Sequence, residues 1–173
     1  MKILAEMNWD AISAVSQLVG SIAVVLSVLY LALQVHRGTR VAKLATQDAA
    51  ATALREVTKP FMENAEVERI WRVGLEDIDS LSVEERARFF HAAYQFLKAF
   101  ETIHFHYIYG LMDKQLFEGW HGLLRHYIAA PGMAQYWNLR PEVFSKRFRD
   151  FVNSLEPPTE QRTVGTLFEL GRK

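Results

Sequence analysis

The chain contains no cysteine and carries no net charge, and each of these absences excludes a class of chemistry. Without cysteine there is no disulfide, no thiol nucleophile and no thiolate metal site. The 20 basic residues are balanced by 20 acidic residues and are dispersed, so the sequence offers no positive surface for nucleic acid. A phosphate-cradling glycine loop, a serine nucleophile elbow and a two-histidine zinc helix are also lacking. The sequence therefore predicts no nucleic-acid partner, no cofactor and no catalytic residue.

One long stretch of the chain also lacks charge: no charged side chain occurs between Asp10 and His36. A helix of the 25 residues from 11 to 35 would measure roughly 37 Å, enough to cross a hydrocarbon core of about 30 Å. Cleaved signal peptides have a basic start and a shorter apolar stretch, whereas the first ten residues here contain one Lys and two acids. The sequence predicts a transmembrane helix over 11–35 after a short extracytoplasmic leader over 1–10.

The basic residues that flank this span predict its orientation. Lys2 precedes the span, whereas Arg37, Arg40 and Lys43 follow it. Lys and Arg close to a span are retained on the cytoplasmic side. We therefore expect a single-pass protein of the lipid bilayer, with its N-terminus outside and the bulk of the chain in the cytoplasm.

Small side chains repeat along one face of the predicted span. They are spaced three, four, three and four residues apart, and in a membrane such residues allow the backbones of two helices to approach closely. The pattern predicts association of the span, in a homo-oligomer or with other membrane-protein subunits. We call these residues the small-residue seam: Ser13, Ser16, Gly20, Ala23 and Ser27.

The rest of the sequence predicts an all-α fold. The transmembrane helix continues into a helical stalk over 36–60, which Pro60 is expected to end because its ring disfavours helical angles in the preceding residue. A cytoplasmic helical domain over 61–153, a bundle of about four to five helices, follows before a tail over 154–173. Capping residues and helix breakers place the helices of that domain over 64–74, 83–109, 114–129 and 141–153, with a short segment around Tyr136 and Trp137.

Histidine supplies the only candidate metal site. Glu101 and His104 have the Glu-x-x-His spacing that places both side chains on one helix face, as in carboxylate-bridged di-iron bundles. Such bundles need the motif twice, and it occurs here once, so the site would be at most mononuclear, with His91, His121 or His126 joining it. We favour structural roles for Glu101, His104 and Trp120, with Glu101 paired to His104, to an Arg or to a Trp indole.

Two stretches of the chain carry distinctive residues: Trp9-Asp10-Ala11-Ile12, residues 19–25, Tyr30-Leu31-Ala32, Gln34-Val35 and Thr39-Arg40, and then Phe100-Glu101, Tyr107, Gly110-Leu111, Asp113 and Glu118-Gly119-Trp120. With these residues the chain resembles a family of uncharacterised bacterial membrane proteins that have one N-terminal transmembrane helix and a helical cytoplasmic domain. The resemblance covers residues 9 to about 152 and implies a bacterial inner-membrane location, but no activity. The family often has other aromatic or polar residues at the positions of His104 and His106.

Two classes of function follow from these patterns. In the first, the protein is a non-catalytic inner-membrane component that oligomerises or serves as an accessory subunit of a membrane complex. In the second, the helical domain binds a metal or a small ligand near Glu101 and His104 and acts as a membrane-tethered sensor or enzyme. The absence of paired catalytic motifs favours the first.

Overall fold

A computed structural model describes residues 9–158, apart from the side chain of Ala11, and this part of the chain is helical without a strand. It contains six α-helices and two short 3-10 turns. Most of the predicted leader and of the predicted tail lies outside the described residues. The chain divides into two units, one ending at Lys43 and the other beginning at Leu44.

The first unit is the N-terminal part of helix α1 (Trp9–Glu63). Every described residue from 12 to 45 is exposed, including the bulky apolar ones; Leu18, for example, is 62% exposed. Among the described helices, α1 is the one long and apolar enough to cross a membrane. The prediction of a long apolar N-terminal helix is therefore confirmed.

The C-terminal part of α1 belongs to the second unit and contributes to its core. Ala50 and Leu54 are buried there, and Val57 and Phe61 pack against the same cluster. The prediction that Pro60 ends this helix was wrong, because α1 continues through Pro60 to Glu63. A proline inside a helix removes one backbone hydrogen bond, and we attribute its tolerance here to the packing of Phe61, whose ring stacks on Trp71 at 4.8 Å.

Helices α2 (Ala65–Glu76), α3 (Val83–Ile108) and α4 (Lys114–Ile128) begin where the capping residues predict. Asn64 accepts hydrogen bonds from the first amides of α2, and Asp113 does the same for α4. Ser82 and Glu85 form a reciprocal capping box at the start of α3. Gly110 follows α3 with a φ of 70°, a conformation that favours glycine over residues with a Cβ.

The last two helices begin near two prolines. Pro131 and Gly132 were expected to break the helix that precedes them, and α4 does end at Ile128; Pro131 is then the first residue of α5 (Pro131–Leu139). Proline suits that position because its missing N–H has no helical partner to lose. Pro141 was expected to open the final helix; it opens only a 3-10 turn (Pro141–Val143), and α6 (Lys146–Asn153) begins after the capping residue Ser145.

Helix α3 is the central element of the second unit. It packs against α2, α4, α5 and α6, while α2 and α4 also contact α5. The Trp71 ring of α2 sits at the centre of an aromatic cluster, between 4.8 and 6.0 Å from the other rings. These rings belong to Phe61, Phe89, Phe96 and Tyr127.

Candidate functional site

Glu101 links α3 to the segment that leads into α6. Its Oε2 atom accepts a hydrogen bond from Lys98 Nζ at 2.6 Å, and its Oε1 atom accepts one from the backbone N–H of Ser145 at 2.6 Å. Lys98 also donates to the carbonyl oxygen of Val143 at 2.9 Å. The side chain of Glu101 is 15% exposed and that of Lys98 is 33% exposed, so the charged pair is partly buried. The expected partners of Glu101, a histidine, an arginine or an indole, were wrong.

These bonds determine the charge state of Glu101. Burial raises the pKa of its carboxyl group, but the hydrogen bonds from Lys98 and from the amide of Ser145 outweigh burial, and the pKa lies below its ordinary value of 4.5. Glu101 is therefore ionised at neutral pH and bound on both oxygens. The Glu101 carboxylate therefore links α3 to the segment at Ser145 that precedes α6.

His104 lies one turn after Glu101 but makes a different set of contacts. It is 8% exposed, and its ring stacks on that of Phe151 with 4.2 Å between centroids. Burial lowers the pKa of His104, and the charge of Glu101 opposes this only in part. His104 is therefore a neutral aromatic member of the core near neutral pH.

His91 lies ten residues before Glu101, about 15 Å away along α3. Its Nδ1 atom is 2.8 Å from the carbonyl oxygen of Ala87, to which it donates in the neutral ring. Among residues 9–158, no group of three or more His, Asp or Glu side chains is placed to hold a metal ion. His91, Glu101 and His104 therefore form no common metal site in the described part of the chain.

Trp120 of α4 packs against α3. Its ring lies edge-on to that of Phe100, with 6.5 Å between centroids. The indole N–H is buried and has no hydrogen-bond partner in the described part of the chain. Its contact is aromatic packing, in keeping with a structural role.

The small-residue seam lies on the exposed part of α1. Its five residues are exposed, and a Cβ added at Gly20 would have no atom within 4 Å other than the backbone of its own helix. Ser27 donates its hydroxyl hydrogen to the carbonyl oxygen of Ala23 at 2.7 Å, which satisfies that hydroxyl within the helix. The seam thus offers a narrow surface that a second helix could approach closely.

Sequence reasoning did not anticipate a cleft between α3 and the end of α5. It has a volume of about 440 Å³, within the range of small-molecule sites. Four residues of α3 at helical spacing line one side of the cleft. Tyr136 and Arg140, which are four residues apart in the sequence, line the other side. A pattern of Tyr and Arg four residues apart gives no signal by itself, because the pairing of α5 with α3 creates the cleft. We call it the α3–α5 cleft; it is lined by Ala87, Phe90, His91, Tyr94, Tyr136, Arg140 and Val143.

A second, more apolar groove of about 400 Å³ lies on the opposite side of His91, between α3 and the C-terminal part of α1. Val57, Pro60 and Phe61 line it from α1. Its polar groups are few, and it presents no cation.

Comparisons with protein-family models, with curated proteins and with solved structures found no match to this chain. The arguments for function therefore come from the residues and their geometry.

Proposed function

We propose that this chain is a non-catalytic, single-pass protein of the bacterial inner membrane. Its N-terminal helix is the anchor, and its helical unit lies in the cytoplasm. The observation that carries the proposal is the exposure of the apolar residues of α1: Val15, Leu18, Val25 and Leu29 are all between 56% and 62% exposed. Side chains of this kind gain most from transfer out of water, and a hydrocarbon core of about 30 Å matches the uncharged length.

The anchor acts, on this proposal, in a homo-oligomer or as an accessory subunit of a membrane complex. The small-residue seam supports this role, since helices in lipid associate through close backbone approach rather than through the hydrophobic effect. The resemblance of residues 9 to about 152 to single-pass bacterial membrane proteins points the same way.

The topology can be tested with reporters fused to the C-terminus. Alkaline phosphatase is active only after export, so that fusion should be inactive, whereas a green fluorescent protein fusion at the same position should fluoresce. Both fusions should remain in the membrane fraction after alkaline carbonate extraction. An active phosphatase fusion would show that the orientation is the opposite of the one proposed. Release by carbonate would show that α1 is not a membrane anchor.

The alternative function divides into a metal site and a small-ligand site. A metal site near Glu101 and His104 finds no support in the contacts, because Glu101 already has two partners and His104 is stacked on Phe151. Elemental analysis of protein made without a histidine tag tests this point. Stoichiometric iron, manganese or zinc that is lost in both Glu101→Ala and His104→Ala would establish the metal site instead.

A further inference from the structure

We propose that the α3–α5 cleft is a binding site for a small monocarboxylate with an apolar or aromatic body. This inference goes beyond the anchoring role and does not depend on it, because every residue that lines the cleft belongs to the second unit.

The apolar residues of the cleft are the reason for proposing a ligand with an apolar or aromatic body. Ala87, Phe90 and Val143 form apolar walls, and the Phe90 ring lies edge-on to that of Tyr136 at 5.3 Å. A flat or branched hydrocarbon group buried against these walls would leave water, which is favourable in proportion to the area covered.

The polar residues of the cleft are the reason for proposing a negatively charged ligand. Arg140 Nε donates to Glu142 Oε1 at 2.9 Å, and the two terminal nitrogens of Arg140 have no partner within residues 9–158. Those nitrogens present the donor pair that binds a carboxylate with two parallel hydrogen bonds. No Asp or Glu lines the cleft; Glu142, which accepts from Arg140 Nε, is not a lining residue, although its charge acts on Tyr136.

The two phenols extend the donor set. Tyr136 is 3% exposed, yet its hydroxyl has no protein partner in the described chain, and the same holds for the hydroxyl of Tyr94. Burial raises the pKa of Tyr136, so its hydroxyl keeps its proton at neutral pH and can donate it to an anion.

The remaining charges restrict the ligand to a single negative charge. Lys98 lies near the Tyr94 ring, 5.7 Å from its centroid, but its ammonium group is held by Glu101 and by Val143. His91 donates through Nδ1 to Ala87, so its Nε2 atom is an acceptor in the neutral ring. Arg140 is the one Lys or Arg on the walls, and Glu142 already balances part of its charge, so the cleft is matched to a single carboxylate better than to a doubly charged phosphate.

The test uses the full chain in lipid nanodiscs and a fluorinated probe, 3-(4-fluorophenyl)propanoate, observed by ¹⁹F NMR. A probe of this size is expected to bind with a Kd on the order of 1 mM, which is measured as concentration-dependent line broadening beyond that in empty nanodiscs. The matched neutral probe, 3-(4-fluorophenyl)propanamide, should bind roughly tenfold more weakly, because it lacks the charge that Arg140 recognises.

Three variants then locate the site. Arg140→Gln should weaken binding of the carboxylate roughly tenfold and leave the amide unchanged, and Tyr136→Phe should weaken it by about threefold to tenfold. Arg72→Gln is the control, since Arg72 is paired with Glu68 and does not line the cleft. Circular dichroism melting of each variant checks that the helical unit is intact. Equal binding of acid and amide, unchanged binding in Arg140→Gln, or no broadening by the acid would each overturn the proposal.

Discussion

The backbone of Gly132 in α5 lies directly against the carbonyl oxygen of Gly74 in α2. A Cβ on Gly132 would overlap that oxygen, and one on Gly74 would overlap the ring of Phe89. The two glycines therefore allow α2, α3 and α5 to pack at a distance that no other residue permits. Tyr136, which lines the α3–α5 cleft, lies one turn after Gly132 on α5.

Gly132→Ala should destabilise the helical unit by about 2 kcal/mol or more, because the new methyl group must push the two backbones apart. Urea unfolding followed by circular dichroism measures the change. Gly119→Ala in α4 is the matched control, since a Cβ there meets no atom within 4 Å. That control should be neutral or stabilising by up to about 1 kcal/mol, as alanine favours a helix over glycine. Similar effects of the two substitutions would show that the α2–α5 contact is not close.

The interactions of Glu101 predict a loss of stability in acid. Its pKa is lowered in the folded chain, so its contribution is present above the ordinary value of 4.5 and is lost as the pH falls through the folded value. Glu101→Gln should lower the free energy of unfolding by roughly 1–3 kcal/mol at neutral pH and should flatten its decline below about pH 5. Unfolding curves at several pH values measure both effects.

Glu118→Gln provides the control for Glu101. The carboxylate of Glu118 is 61% exposed and lies 3.9 Å from Lys114, so its loss should change stability by less than about 0.5 kcal/mol. If Glu101→Gln behaved like this exposed variant, the link between α3 and the segment at Ser145 would contribute nothing measurable.

His104 should affect the stability of the folded chain at a higher pH than Glu101 does. Because its pKa is lowered by burial, the unfolded chain takes up a proton first, and stability is lost as the pH falls from the ordinary value of 6.5 towards the folded value. His104→Phe keeps an aromatic ring beside Phe151 and removes the titrating group. The difference in melting temperature between about pH 7.5 and pH 5.5 should therefore shrink in this variant.

The difference in melting temperature should not disappear in His104→Phe, because burial also lowers the pKa of His121. His126→Gln, at an exposed position, should retain the full wild-type difference. A His104→Phe variant as sensitive to acid as the wild type would exclude His104 as the source.

The starts of three helices could be predicted because capping is local. Asn64, Ser82 and Asp113 bond to amides two or three residues away, so a short stretch of sequence contains both partners. The effect of Pro60 could not be predicted in this way, since it depends on the packing of Phe61 against Trp71. Residue type alone does not distinguish a proline that ends a helix from one that begins it.

The candidate sites were harder to predict for the same reason. Glu101 could be recognised as a residue in need of partners, but one of them, the amide of Ser145, lies 44 residues away along the chain. The α3–α5 cleft depends on how Tyr136 and Arg140 face α3, which no local pattern encodes. In contrast, the exposed apolar helix and its small-residue seam follow from periodicity within one element.

The seam leads to the last prediction, in which Gly20 contributes more to association than the hydroxyl of Ser27. Gly20→Leu should weaken association of the span by about 1 kcal/mol or more, because a bulky side chain prevents close backbone approach. Ser27→Ala should have a smaller effect, since the Ser27 hydroxyl already donates to Ala23 within its own helix. Leu26→Ile, off the seam, should change little. A genetic assay of transmembrane helix association, run at matched expression, compares the variants. If Gly20→Leu and Leu26→Ile gave the same signal, the seam would not be the contact surface, and a greater loss in Ser27→Ala than in Gly20→Leu would assign association to an interhelical hydrogen bond instead.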